Sequence, residues 1–291
     1  MADLTEQPGT KSALAHFAET RPLILFFLLA YAWSWTFWLI VPPFVSDNHP
    51  DVVYVLLFIA GATGPTVAAL LTRWLSHRDL RICPVWTGWS RVITGLMVGL
   101  ACFIVVTLVA PSIATTRAPA SALRWGTLLH WSVYGINYST LLGGPLNEEP
   151  GWRGFALPRL QESYGPVLAT IILAPLWAAW HLPLFQIKGW SSARPWQFLL
   201  ILIGVSFLMT AAANLSKFSV IVAIVLHAFF NTSSGLGNAL KNGLAIRAPE
   251  MLIYTLTVFA CGTAIGLAVL RLQRTWRRAN RNSKRSVQER C

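Results

Sequence analysis

Apolar runs of about twenty residues, separated by short polar or proline-rich connections, fill most of the chain. Each run is long enough to cross a bilayer as a helix. Eight are predicted, at roughly 22–45, 52–74, 91–114, 126–147 (reaching about 161 if that helix continues), 165–187, 195–213, 217–240 and 250–271. The pattern predicts an all-α fold, a polytopic transmembrane helical bundle. Pro42-Pro43, Pro65, Pro111, Pro145, Pro175 and Pro183 predict kinks or helix ends, which membranes tolerate where neighbouring helices satisfy the freed carbonyls. The tryptophans of "AWSWTFW" and "RPW" suit interfacial belts.

Composition strengthens this reading. Of 291 residues, 55% are hydrophobic and 12% charged, whereas a soluble domain carries about 25% charged residues. The net charge of +12 would suggest nucleic acid if it were spread over a soluble surface. It is concentrated instead: Arg271 to Cys291 holds eight basic residues and one acid, directly after an apolar run. Such a tail is expected on the cytoplasmic side against anionic lipid headgroups, with no nucleic-acid partner. An even number of spans then puts both termini in the cytoplasm. The arginine-rich connection "TRWLSHRDLRICPVWTGWSR" falls inside and "SDNHPD" outside, as the positive-inside rule asks. The expected organisation is a polar arm over 1–21, a transmembrane domain over 22–271 and a basic tail over 272–291. The four cysteines are scattered, without metal-binding or disulfide spacing.

Charge avoidance breaks at one place. Between Asp79 and Glu250 the only acids are Glu148, Glu149 and Glu162, and two of these are adjacent in "NEEPGWRGFALPRL". An ionisable group at bilayer depth costs roughly 2.5–3.5 kcal/mol on insertion scales and marks a functional site by default. The alternative is a solvated loop. Glu149 and Arg153 stand at i,i+4, acid before base, the order that favours pairing on a helix. Glu148 is rotated about 100° away and has no cation near it in sequence. Glu149 with Arg153 is therefore expected to brace the helix, leaving Glu148 for chemistry.

Polar partners for Glu148 occur on two other expected spans. "PLWAAWHLPLF" carries His181, and "VAIVLHAFFNTSSG" carries His227 and Asn231, again at i,i+4. If the fourth helix runs to about Glu162 and the fifth starts near Gly165, helical rise puts Glu148, His181 and His227 roughly 21, 24 and 15 Å from the inner ends. That is one layer of the membrane.

These elements resemble the CAAX prenyl protease and bacteriocin-processing family of intramembrane proteases (CPBP, also called Abi). "EEPGWR" matches its EExxxR motif, and His227-Ala-Phe-Phe-Asn231 matches its HxxxN motif. "WAAWH" departs from the aromatic-xxx-His motif only in having Trp177 where phenylalanine is usual. The resemblance covers about residues 140–240. It implies an endopeptidase with its site in a water-accessible membrane cavity. Glu148 would be the general base, His181, His227 and Asn231 its catalytic partners, and Glu149, Arg153 and Trp177 the support.

A desolvated carboxylate suits general-base work, and no serine or cysteine of the motifs has a base at useful spacing for a covalent route. Glu148, aided by a histidine, is expected to activate water, with His227 and Asn231 steadying the oxyanion. Glu148, His181 and His227 are also ligand types used by catalytic zinc, so a divalent-metal route and a metal-free route both stand open. The competing function class is a transporter, or an immunity or scaffold protein that keeps the fold without turnover; midplane polar residues also mark transport paths. A lipid phosphatase would need clustered cations, and Arg153 already has Glu149. The expected substrate is a peptide or protein, lipidated or membrane-embedded, and the expected location is a prokaryotic plasma membrane.

Overall fold

A computed structural model describes residues 13–40, 52–76, 80–114, 144–187, 190–240 and 248–288. All regular structure among them is helical. In chain order the helices are α1 (Ala13–Thr20), α2 (Pro22–Trp38), α3 (Val52–Ala62), α4 (Gly64–Leu75), α5 (Trp89–Ala114), α6 (Pro145–Gly151), α7 (Leu157–Trp180), α8 (Pro195–Leu215), α9 (Val220–Leu240) and α10 (Ala248–Gln288). Prolines open α2, α6 and α8, where the missing N–H would have lacked an intrahelical acceptor anyway. α2 and α8 are apolar around their whole circumference, as helices surrounded by lipid and by other helices should be.

Among the described residues, four helical stretches are long and apolar enough to cross a bilayer: Trp89–Val106, Pro145–Gln186, Pro195–Leu215 and Pro249–Thr275. The number becomes six if α1 with α2, bent by 109°, and α3 with α4, bent by 44°, each count as one span. Eight were expected. The difference has identifiable origins: most of the expected run 126–147 lies outside the described residues, Val220–Thr232 is a shorter apolar helix, and Pro145–Gln186 is one 42-residue stretch.

That stretch is not straight. Along an unbroken helix Glu148 and Trp177 would stand about 43 Å apart, yet the Trp177 indole donates a 2.9 Å hydrogen bond to Glu148. The chain doubles back at Gly165, whose φ of 71° and ψ of 171° leave the helical region, a conformation glycine adopts without a Cβ penalty. Pro166 follows at the start of the returning leg, where it needs no N–H partner. The turn thus falls where the fifth expected helix begins, and just past the end of the fourth if that helix continues to about 161.

Between α6 and α7 the helix widens into a π-turn over Trp152–Ala156, two residues beyond Pro150. A π-turn leaves a backbone carbonyl out of the regular ladder, and the Gly154 carbonyl accepts from the N–H of Cys83 at 2.8 Å. Cys83 belongs to the connector Leu80–Gly88, which also reaches α9. Pro84 and Val85 carbonyls accept from the N–H groups of Val220 and Ile221, both at 3.2 Å. These carbonyls cap otherwise unpaired donors at the start of α9. The connector therefore joins the helix carrying the two glutamates to the helix carrying His227.

Small residues set the closest helix approaches. A Cβ on Gly262 of α10 would come within 2.8 Å of the Gly204 backbone of α8, and one on Gly266 within 2.7 Å of Phe207, the close packing that drives association in membranes. The core around the bent α6–α7 unit is rich in tryptophan: Trp38, Trp152, Trp177 and Trp180 are all buried. Trp38 accordingly sits in the interior, not in an interfacial belt. Its ring lies against Trp180, and its N–H donates to the Phe58 carbonyl.

Candidate active site

Gly144 and Pro145 start α6. Gly144 has φ of 109°, and its carbonyl accepts from the N–H groups of Asn147 and Glu148 at 2.8 and 2.7 Å. This tight start directs the Glu148 carboxylate back over the glycine, where a Cβ would overlap Glu148 Oε1. The other oxygen, Oε2, accepts from Trp177 Nε1. Glu148 is thus held between two helical legs, and only 3% of its surface is exposed. It does not lie on a wet connecting loop.

Glu149 points another way, as the helical rotation requires. Its Oε1 accepts from Arg153 at 2.8 Å and stands 2.8 Å from Nδ1 of His227. A carboxylate only accepts hydrogen bonds, so Nδ1 of His227 carries the proton. The Arg153 guanidinium also lies 4.0 Å over the Trp177 ring, the geometry of a cation–π contact. Both ionic side chains are buried, which is tolerable only because they are paired. Glu149 Oε2 and one Arg153 nitrogen have no hydrogen-bond partner among the described residues.

His181 closes the returning leg. Its Nδ1 meets the Trp177 carbonyl at 2.8 Å, and a carbonyl can only accept, so this Nδ1 is again the donor. Trp38 and Trp190 stack against the ring, with centroids 6.3 and 5.8 Å away, while Trp180 and Phe198 approach edge-on. In both histidines the remaining nitrogen is Nε2, a lone-pair acceptor in neutral imidazole. Asn231 stands one helical turn beyond His227 and is half-buried.

The structure therefore brings Glu148, Glu149, Arg153, Trp177, His181 and His227 into one buried cluster. One expected pairing differs. His227 hydrogen-bonds Glu149, not Glu148, so Glu149 holds an imidazole as well as bracing Arg153. The i,i+4 spacing displays the Arg153 contact, whereas the His227 contact joins residues 78 apart in sequence. Gly144 and the aromatic rings around His181 were not singled out from the sequence. The sequence Gly-Gly-Pro, ending three residues ahead of the first of two adjacent acids, is a readable signal for the first; the rings come from four separate elements and carry none.

A family model described as type II CAAX prenyl endopeptidase Rce1-like matches residues 130–233, the segment bearing all three motifs. A curated relative, CAAX prenyl protease 2 of Methanococcus maripaludis, is 23% identical over 259 residues, covering 83% of this chain and 92% of its own. Both matches support the CAAX prenyl protease and bacteriocin-processing family that the three motifs resemble. The likeness to the archaeal relative extends well beyond the motif core at 140–240. The family match and several long apolar helices support an integral membrane protein.

The donor types would suit a divalent metal, but they are not gathered around one point. Among the described residues no three His, Cys, Asp or Glu side chains are grouped so as to hold an ion. Of the candidates Glu148, His181 and His227, the first has one oxygen on an indole N–H and each histidine has Nδ1 engaged, which leaves Oε1 and the two Nε2 atoms as the lone pairs an ion would take. The two Nδ1 atoms are held by a backbone carbonyl and by a carboxylate shared with Arg153, partners that metal-bound histidines also have, so the side-chain chemistry fits either route.

Proposed function

We propose that the chain is an intramembrane endopeptidase that hydrolyses a peptide bond of a lipidated or membrane-embedded substrate with a water activated by Glu148. The carrying observation is the buried Glu148 carboxylate, held through Oε2 by Trp177 on the same leg as His181. Glu148 takes a proton from water as the water oxygen attacks the scissile carbonyl carbon. The C–N bond then breaks, and the leaving amine takes the proton back from Glu148. Nε2 of His181, an acceptor in the tautomer its Trp177 contact requires, aligns the same water.

His227 and Asn231 face the developing oxyanion, a task suited to donors in a dry site. For this His227 takes a proton from solvent on Nε2 before the attack, donates it as a hydrogen bond to the oxyanion and returns it to solvent after the C–N bond breaks; Glu149 offers the imidazolium its counter-charge at 2.8 Å. This resembles the way a buried carboxylate supports a catalytic histidine elsewhere. Residues 22–271 form the protease domain, and the basic end of α10 meets anionic headgroups of a prokaryotic plasma membrane.

The names of the family model and of the archaeal relative support a prenylated CAAX peptide as first probe. Purified protein in nanodiscs is expected to release the C-terminal tripeptide from a farnesylated quenched-fluorescent peptide in a single cut. It is expected to do so after metal analysis finds no bound ion. No cleavage of this peptide or of membrane-embedded peptides would favour the transporter or scaffold reading.

A further inference from the structure

Trp177 touches four of the cluster's charged or titratable side chains. Its N–H donates to Glu148 Oε2 at 2.9 Å and its face carries the Arg153 guanidinium at 4.0 Å. Its carbonyl accepts from His181, and its ring meets His227 edge-on with centroids 5.1 Å apart. The last three contacts need only an aromatic ring or a backbone. The first needs an indole nitrogen. An indole N–H donates and never accepts, and it exchanges no proton in the working pH range. It can orient a carboxylate without competing for the proton that carboxylate must take.

We infer that Trp177 is a positioning residue, whose indole N–H pins Glu148 Oε2 so that Oε1, lying over Gly144, is the oxygen presented to the attacking water. Two constraints converge on the carboxylate from opposite legs of the bent α6–α7 unit. Gly144 leaves room for Oε1 and no more, and Trp177 anchors Oε2. With Trp177 buried to 1% exposure the anchor has no water to compete with it. A phenylalanine here would keep the packing against Arg153 and His227 but leave the carboxylate free to rotate. Loss of a pre-set reacting geometry lowers turnover more than binding.

The inference rests on Glu148 acting as base, so its test is paired with Glu148→Gln. Full-length protein carrying Trp177→Phe, and a second form with benzothienylalanine at 177, would be assayed on the farnesylated peptide. Benzothienylalanine keeps the indole shape and replaces only the N–H by sulfur. For both, kcat is expected to fall roughly tenfold or more, as loss of a hydrogen bond to a charged group implies. KM should stay within about twofold, and the benzothienyl form should keep the parent thermal midpoint. An unchanged kcat in the benzothienyl form would overturn the inference. So would a fall in kcat accompanied by an equal rise in KM or by a lowered midpoint. If Glu148→Gln abolishes cleavage while both Trp177 forms match the parent, only this inference fails; if Glu148→Gln cleaves normally, the reading beneath it fails.

Discussion

Nδ1 of His227 and Oε1 of Glu149 stand 2.8 Å apart, and the same oxygen accepts from Arg153. One buried carboxylate oxygen thus serves a structural cation and a site histidine. Glu149→Ala leaves Arg153 buried without its partner, which costs about 3–5 kcal/mol, and frees His227 to change tautomer. The single variant should lose both thermal stability and cleavage. Replacing both members, Glu149→Leu with Arg153→Met, removes the orphaned charge. It is expected to restore the unfolding midpoint in detergent while peptide cleavage stays at least tenfold down, since His227 still lacks its acceptor. Recovery of cleavage together with stability would limit Glu149 to bracing.

Gly144 is constrained twice. Its φ of 109° is one L side chains rarely adopt, and a Cβ would overlap Glu148 Oε1. The backbone strain of Gly144→Ala alone costs on the order of 1–3 kcal/mol. The overlap displaces the carboxylate besides. Cleavage of the farnesylated peptide should drop by roughly a hundredfold or more, as a misplaced reacting group implies, with the protein still folded. Circular dichroism and the kcat of the same preparation check this.

The connector Leu80–Gly88 offers a test of how the legs are held together. Cys83 contributes its backbone N–H to the π-turn carbonyl of Gly154, and its half-buried thiol is not required for that bond. Cys83→Ala should therefore leave stability and cleavage near the parent values. Cys83→Pro removes the donor and leaves the carbonyl unpaired, a loss of about 1–3 kcal/mol, seen as a lower unfolding midpoint. Burial also pushes the Cys83 thiol up from its ordinary range. The reactive thiolate forms below a thiol's pKa only in small part, so alkylation of Cys83 should be slow at neutral pH and accelerate as pH rises.

Hydropathy made the helical membrane bundle legible, because twenty apolar residues have few other stable states. It also put the start of a helix near Gly165, where "SYGP" separates two apolar legs. The span count was less legible, since length does not separate one long helix from a reversed pair or from the bent pairs at Arg21 and Thr63. Trp38 misled for a related reason: a tryptophan near a helix end looks alike at an interface and beneath a core of aromatic rings. At the site, Glu149 with Arg153 could be read from helical spacing. Contacts between helices could not, because nothing local links His227 to Glu149 or Trp177 to Glu148. The departure at Trp177 was visible as a letter, and its hydrogen bond only as geometry.

Turnover of the farnesylated CAAX peptide by Glu148→Gln, beside the parent protein in the same nanodiscs, bears most directly on the claim that Glu148 activates water. Glutamine keeps the size of the side chain and an oxygen for the Trp177 N–H, but it cannot take the proton. The variant should match the parent in yield and thermal unfolding and release no tripeptide above background by mass spectrometry. Tripeptide release at the parent rate would contradict the account.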